Sequence, residues 1–172
     1  MQYILEYLNQ FLLFRNFIEV ILGLDNTLFL LIISLPVGFI LSLIFAIGRV
    51  SKNKLISKTI ASYIFVIRGT PLLVQIYLIY FGLGSVEFIR ESFLWYLLKE
   101  PFWCGVLALT INTVAYGSEI FRGGIQSVTK GQIESGLSLG FNKFKLLRKV
   151  ILPIALRKVL PSYGNELILM VK

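Results

Sequence analysis

The chain has no histidine, one cysteine, and nine acidic residues against seventeen basic ones. Each shortage removes a class of function. Without histidine the commonest general base and metal ligand is missing. Cys104 lies inside an apolar run, can close no disulfide within the chain, and reads as a small packing residue. There is no GxxxxGK[ST] phosphate loop, no HExxH, no GxSxG and no Cys/His cluster. The few carboxylates are scattered, so neither a catalytic constellation nor a metal site is expected. The opening MQYILEYLNQ carries Glu6 and no basic stretch, unlike a secretory leader, so the first long apolar segment is expected to remain in the mature chain.

What is abundant is apolar. Hydrophobic residues make up 56% of the sequence, which places it with membrane proteins rather than soluble domains. The net charge of +8 would point to nucleic acid in a soluble protein. Here the basic residues flank apolar runs and no nucleic-acid motif is present, so membrane topology explains the charge and nucleic acid is excluded.

A bilayer core of about 30 Å takes about 20 residues of helix. Residues 26–48 hold no charge and predict the first span; Pro36 and Gly38 within it are tolerable in a membrane helix. The following segment 49–58 has four basic residues and no acid, which the positive-inside rule places in the cytoplasm. The N-terminus is then outside, and residues 1–25, with Glu6, Arg15, Glu19 and Asp25, predict an amphipathic helix along the membrane before the span. A second apolar run, 59–86, is too long for one upright helix and is broken by RGTP at 68–71, where Pro71 predicts a kink; the span itself is expected at about 64–84, ending near Gly82 or Gly84. Residues 87–100 suit the external interface, and 101–120 predict the third span, closed by a turn at Gly123 and Gly124. Between 122 and 158 eight basic residues face one acid, which marks a cytoplasmic loop over about 122–151. A last apolar stretch ends at Lys172; a fourth span over about 152–172 is expected, with the sequence stopping short of the complete protein.

Several polar residues stand out against this background. Arg68 lies beside or within the membrane, where an ionisable group either serves function or snorkels to the headgroups. Thr70, Gln75 and Asn112 can hydrogen-bond a neighbouring helix or a substrate. Glu119 can pair with Arg122 at i, i+3 or face a translocation path. Glu166 must be paired, protonated or water-facing.

The cytoplasmic stretch IESGLSLGFNKFKLLRKVILP (133–153) is the most informative. QIESGLSLG predicts a short helix ended by Gly140. From Lys143, the residues Phe144, Leu147, Ile151 and Ile154 fall on one apolar stripe, with Lys145, Arg148 and Lys149 opposite. Physically this is either a basic loop lying on lipid or a docking element.

The spacing Glu134, Gly140, Val150, Leu152, Pro153 resembles the EAA loop of ABC importer permeases, with Glu134-Ser135-Gly136 standing for Glu-Ala-Ala and Val150 for the usual isoleucine. Two further blocks, RGTPLLVQIYLIYFGL (68–83) and AYGSEIFRGGIQSVTKGQIESGLSLG (115–140), are similar to the polar amino-acid permeases of the histidine/glutamine/arginine/glutamate uptake type. The resemblance runs over roughly 20–172. It implies one all-α transmembrane permease domain, a polytopic helix bundle of the binding-protein-dependent importer type, with about four of an expected five spans present. It implies a multi-pass protein of the bacterial inner membrane that is a transport subunit rather than an enzyme.

By the same resemblance, Glu134, Ser135, Gly136, Leu137, Leu139, Gly140 and Phe141 would form the coupling surface for a separate ATPase, which would bind the ATP and magnesium. Arg68, Thr70, Gln75, Asn112 and Glu119 are the candidates for the substrate path. The implied partners are a second permease subunit, identical or homologous, two ATPases, an external solute-binding protein, membrane lipid and a small-molecule amino acid. The competing expectations are an ion-coupled secondary carrier, with Glu119 or Glu166 carrying a proton, and a lipid-binding scaffold.

Overall fold

The computed structural model describes residues 2–171, with side chains described over 23–169. Among the described residues the regular structure is entirely helical. Helix α1 spans Gln2–Arg49, α2 Lys54–Arg68 and α3 Leu72–Ser85. Two short turns follow, α4 (Glu87–Arg90) and α5 (Trp95–Leu98). Then come α6 (Pro101–Gln126), α7 (Lys130–Ser138) and α8, continuous over 143–171.

Among the described residues two helices are long and apolar enough to cross a bilayer, α1 from Gly23 to Arg49 and α6; α2 and α3 together qualify as a third, bent span. The leading segment is not a separate helix, because α1 is unbroken from Gln2. The amphipathic face expected over residues 1–22 lies outside the described side chains. The last helix passes along α6, but Arg157, Lys158 and Glu166 keep it out of the apolar class among the described residues.

Helix α6 is the axis of the bundle. More than half of its most apolar stretch is buried against other helices, while α1 buries 17% of its own. The α1–α6 contact is made by small residues. Ser34, Gly38, Ser42 and Ala46 recur every fourth position and are all buried, which lays one small-residue stripe along α1. Such stripes let membrane helices approach closely, since lipid offers apolar side chains no hydrophobic gain for associating. Gly38 abuts Thr113, Gly117 abuts Ser42, and Ser42 Oγ donates to the Thr113 carbonyl at 3.1 Å. Further along, Phe39, Phe121 and Tyr163 form a three-ring cluster with centroids 5.1–5.3 Å apart, which joins α1, α6 and α8.

The structure corrects several expectations. The kink at RGTP is a full break, with α2 and α3 meeting at a 103° bend. Pro71 lies outside both helices, at φ −61° and ψ 140°. It lacks an amide hydrogen and drives Thr70 from the helical region, so the chain leaves one helix and starts another. Gly123 and Gly124 do not end α6, which continues to Gln126. Gly124 instead admits α8: a side chain there would meet Val159 and lie 3.1 Å from the Ala155 carbonyl. Gly82 and Gly84 also lie within helix, the former in a π turn over Leu78–Gly82 and the latter against the Trp95 ring.

The stripe expected on the basic helix is shifted as well. Phe144 is exposed, and the buried positions are Leu146, Ala155, Val159 and Tyr163. The reason is a π turn over Leu147–Ile151, closed by the Leu152 amide donating to the Leu147 carbonyl. Pro153 can donate no hydrogen bond, and the widened turn before it adds one residue to the helical repeat. The buried face therefore steps by more than the usual three or four positions there.

Candidate functional site: an elbow cavity and a capped helix

Two places in the fold collect the residues singled out in the sequence. The first is the elbow between α2 and α3. Gln75, buried in the first turn of α3, reaches back into the break. Its Nε2 lies 2.8 Å from the Ile67 carbonyl, 3.0 Å from the Thr70 carbonyl and 2.9 Å from Thr70 Oγ1. These carbonyls belong to the part-buried broken end of α2, where no further helical turn serves them. Thr70 Oγ1 in turn lies 3.1 Å from the carbonyls of Val66 and Ile67. From the neighbouring helix, Asn112 Nδ2 donates to Gln75 Oε1 at 3.3 Å, and the Tyr63 hydroxyl donates to the Ile111 carbonyl at 2.7 Å. The break is therefore fixed within itself by Gln75 and fixed onto α6 by Asn112 and Tyr63.

Beside this elbow is a cavity of about 550 Å³ lined by residues 68–72, Asn112, Tyr116, Glu166 and Leu169. The Arg68 guanidinium stands over the Tyr116 ring at 5.0 Å. Three of the five path candidates, Arg68, Thr70 and Asn112, thus share one cavity, and Gln75 braces its wall. Two lining side chains with polar groups, Tyr116 and Glu166, were not among those candidates. Glu166 stood out as an intramembrane charge, but nothing local in the sequence placed it opposite Arg68.

Glu119 is elsewhere. Its carboxylate lies 2.7 Å from Arg122 NH2 and 3.5 Å from Arg49 Nε. Arg122 also holds Gln126 at 2.7 Å, and Arg49 holds Ser57 on α2 at 3.1 Å. Glu119 thereby ties the end of α1 and the start of α2 to α6.

The second place is α7 and the turn after it. Thr129 caps α7 in a capping box with Gln132: Thr129 Oγ1 accepts from the Gln132 amide and the Gln132 side chain accepts from the Thr129 amide. The helix ends as the sequence predicts, on Gly140 at φ +74°. The Phe141 amide donates to the Gly136 carbonyl at 3.1 Å and the Gly140 amide to the Leu137 carbonyl at 2.9 Å, a Schellman termination. Gly136 is buried against Leu146 and Val150, so its missing side chain lets α7 lie close on α8. That arrangement turns Glu134, Ser135, Leu137, Leu139 and Gly140 outward, with Phe141 half-buried under Lys149. Leu137 is 52% and Leu139 73% exposed, in a segment whose surroundings are basic.

Comparison with known proteins decides the family. Residues 34–172 match the family described as binding-protein-dependent transport system inner membrane component. The chain belongs to that family. It is 45% identical over 164 residues to the nopaline transport system permease protein NocM of Agrobacterium fabrum, covering 94% of this chain and 67% of that protein. It is 48% identical over 149 residues to the histidine/lysine/arginine/ornithine transport system permease protein HisM of Escherichia coli, covering 86% and 63%. The arginine ABC transporter permease protein ArtM of Haemophilus influenzae is 40% identical over 161 residues, covering 93% and 70%. A crystal structure of an amino acid ABC transporter with histidines superposes with a TM-score of 0.71 at 43% identity, over 87% of this chain and 66% of the other. The chain spans about two thirds of the length of these relatives. The fold class read from the sequence, an all-α bundle of the permease type, stands with the family.

Proposed function

We propose that this chain is the permease subunit of an ATP-driven amino-acid importer in the bacterial inner membrane. The observation that carries the proposal is α7. It is a capped, glycine-terminated helix held on the bundle through Gly136, and it presents Leu137 and Leu139 to solvent on the side the charges mark as cytoplasmic. Exposed leucines on such a helix fit a groove on a partner, and the family of the chain is one of binding-protein-dependent transport. The partner is a separate ATPase, two copies per transporter, which binds the ATP and magnesium; this chain does no chemistry of its own. A second permease subunit, identical or homologous, completes the path, an external solute-binding protein delivers the amino acid, and the N-terminus faces outward.

In this reading α7 is a lever. Closing of the ATPase dimer moves α7, the contact of Gly136 with Leu146 and Val150 passes the displacement to α8, and α8 moves against α6 through Ala155, Val159 and Tyr163. The bundle then alternates between outward and inward access. The broken α2–α3 element is where such a bundle can carry a polar path, because irregular backbone in a membrane is stable only where protein or a wet cavity satisfies it.

The test is co-purification of the complete transporter in mild detergent, comparing wild type with the Leu137→Asp/Leu139→Asp pair. Both side chains are exposed, so the bundle should assemble normally. Loss of the ATPase with the pair, and retention in wild type, supports a coupling surface. A wild-type complex that carries no ATPase and imports amino acid on an ion gradient overturns the proposal in favour of a secondary carrier.

A further inference from the structure

We propose that the pocket between the end of α3 and α5 seats one anionic phospholipid, with its phosphate at Lys99 and its glycerol and upper acyl chains against Tyr80, Phe81 and Trp95. This requires only that the bundle stands in a bilayer and is independent of what the chain transports.

The pocket, of about 400 Å³, lies at the far end of α6 from α7. α5 ends at Leu98 and α6 opens at Pro101, and the 26 residues of α6 make about 39 Å of helix. That exceeds the ~30 Å apolar core, so the start of α6 stands at one edge of the bilayer, at the depth of the headgroups. The segment 86–97 beside it exposes Phe88, Phe93 and Tyr96, rings of the kind that anchor at this depth.

Local structure builds the walls. Tyr80 and Phe81 lie in the π turn of α3, edge to face at 4.8 Å. Gly84 has no side chain, so the Trp95 ring of α5 closes against α3. Lys99, exposed after α5, is the one cation in the lining; its Nζ stands over the Tyr96 ring at 5.0 Å. It has no ion-pair partner among the described residues, where every salt bridge runs through Glu119.

Below the rings the surface continues as a track. Leu73, Tyr77 and Phe81 recur every fourth position of α3 and are all exposed. Gln75, near the start of α3, bonds Asn112 in the middle of α6, so the track runs from the middle of the bundle to the edge. Its rise from Leu73 to Phe81 is about 12 Å, close to half of the ~30 Å core, which is one leaflet. A cation at the edge, rings beneath it and an apolar strip one leaflet deep repeat the order of phosphate, glycerol and acyl chain. A zwitterionic headgroup brings its own cation, so the unpaired lysine selects for an anionic one.

The experiment uses the complete transporter in phosphatidylcholine nanodiscs doped with lipid brominated on its acyl chains, either phosphatidylglycerol or phosphatidylcholine at equal mole fraction. The chain has two tryptophans, Trp95 and Trp103. Subtracting the fluorescence of a Trp95→Phe transporter isolates Trp95. Brominated phosphatidylglycerol should compete for the site about five-fold better than brominated phosphatidylcholine, the advantage one lysine gives an anionic lipid. Lys99→Gln should bring that ratio to about one, and Lys99→Arg should keep it. Arg90→Gln removes an exposed cation of the same segment that does not line the pocket, and should leave the ratio unchanged. Equal quenching of the wild type by both lipids would mean annular contact without a site. A fall of the ratio in Arg90→Gln as large as in Lys99→Gln would mean diffuse surface charge. No quenching by either lipid would mean that water or a protein partner covers the pocket. Each of these three results overturns the proposal.

Discussion

Asn112, in the middle of α6, donates to the Gln75 carboxamide at 3.3 Å, and Gln75 spends its own amide hydrogens on the broken end of α2. Two residues read from the sequence as candidate substrate contacts are therefore one brace. Gln75 bonds carbonyls at the break, and Asn112 fixes the elbow against the central helix.

Replacing Gln75 by Leu should therefore destabilise the bundle by about 1–3 kcal/mol, the cost of leaving the Thr70 carbonyl and the Asn112 side-chain amide without their partner. Asn112→Ala should cost less, near the ~0.6 kcal/mol typical of hydrogen bonds between membrane helices. Because the two act through one bond, the double variant should fall short of the sum. Thermal unfolding of the purified complex in detergent gives all three values. Full additivity would mean that the Asn112–Gln75 contact carries no energy.

Gly140 offers a sharper case. Its φ of +74° is costly for a residue with a Cβ, by about 1–2 kcal/mol. A side chain there meets nothing within 4 Å, so any effect of Gly140→Ala is one of backbone strain. Transport should fall in Gly140→Ala and recover in large part in Gly140→Asn, since asparagine tolerates this conformation better. Amide exchange at Phe141, whose bond to the Gly136 carbonyl closes the Schellman turn, should speed up in the same order. Equal transport by all three chains would detach the turn from coupling.

The contrast between these two regions shows what a sequence can disclose. Gly140 was legible because helix termination is local: an αL glycine writes itself into a few adjacent positions. The break at RGTP was legible as a disturbance, since Pro71 has only local effects, but its 103° angle was not. That angle is held by contacts with α6, Asn112 on Gln75 and Tyr63 on the Ile111 carbonyl, which adjacent positions do not disclose. The role of Gly124 was misread for the same reason. Glycine in sequence signals a turn or a close approach, and only the position of Ala155 and Val159 chooses between them. The small-residue stripe Ser34, Gly38, Ser42, Ala46 had a plain signal, a four-residue repeat, within a run read for hydropathy alone. The cavity needed tertiary information, because Arg68 and Glu166 are far apart in the chain.

Glu119 is predicted to hold structure rather than cargo. Glu119→Gln leaves Arg49 and Arg122 without their shared carboxylate. Both ion pairs are partly buried, so the loss should be about 1.5–3 kcal/mol, as for other hydrogen bonds to charged groups. The substrate concentration for half-maximal transport should stay at the wild-type value while the unfolding temperature falls. A raised half-saturation with unchanged stability would return Glu119 to the translocation path.

The last prediction concerns the α1–α6 seam. Ser42 and Ala46 are fully buried there, and Gly117 of α6 approaches Ser42 so closely that it has no room for a side chain. Enlarging this face forces the helices apart, and a packed interior resists added methylenes by about 1–3 kcal/mol each time. Ser42→Leu should therefore lower the unfolding temperature and the yield of assembled complex. Ile40→Leu, on the exposed side of the same helix at 58% exposure, should change neither. Ser42→Ala separates packing from bonding. It removes the hydrogen bond to the Thr113 carbonyl but keeps the small volume, so its cost should be well below that of Ser42→Leu. If Ala proves as damaging as Leu, the hydroxyl rather than the close approach holds α1 on α6. The recurrence of small residues along α1 would then need another cause.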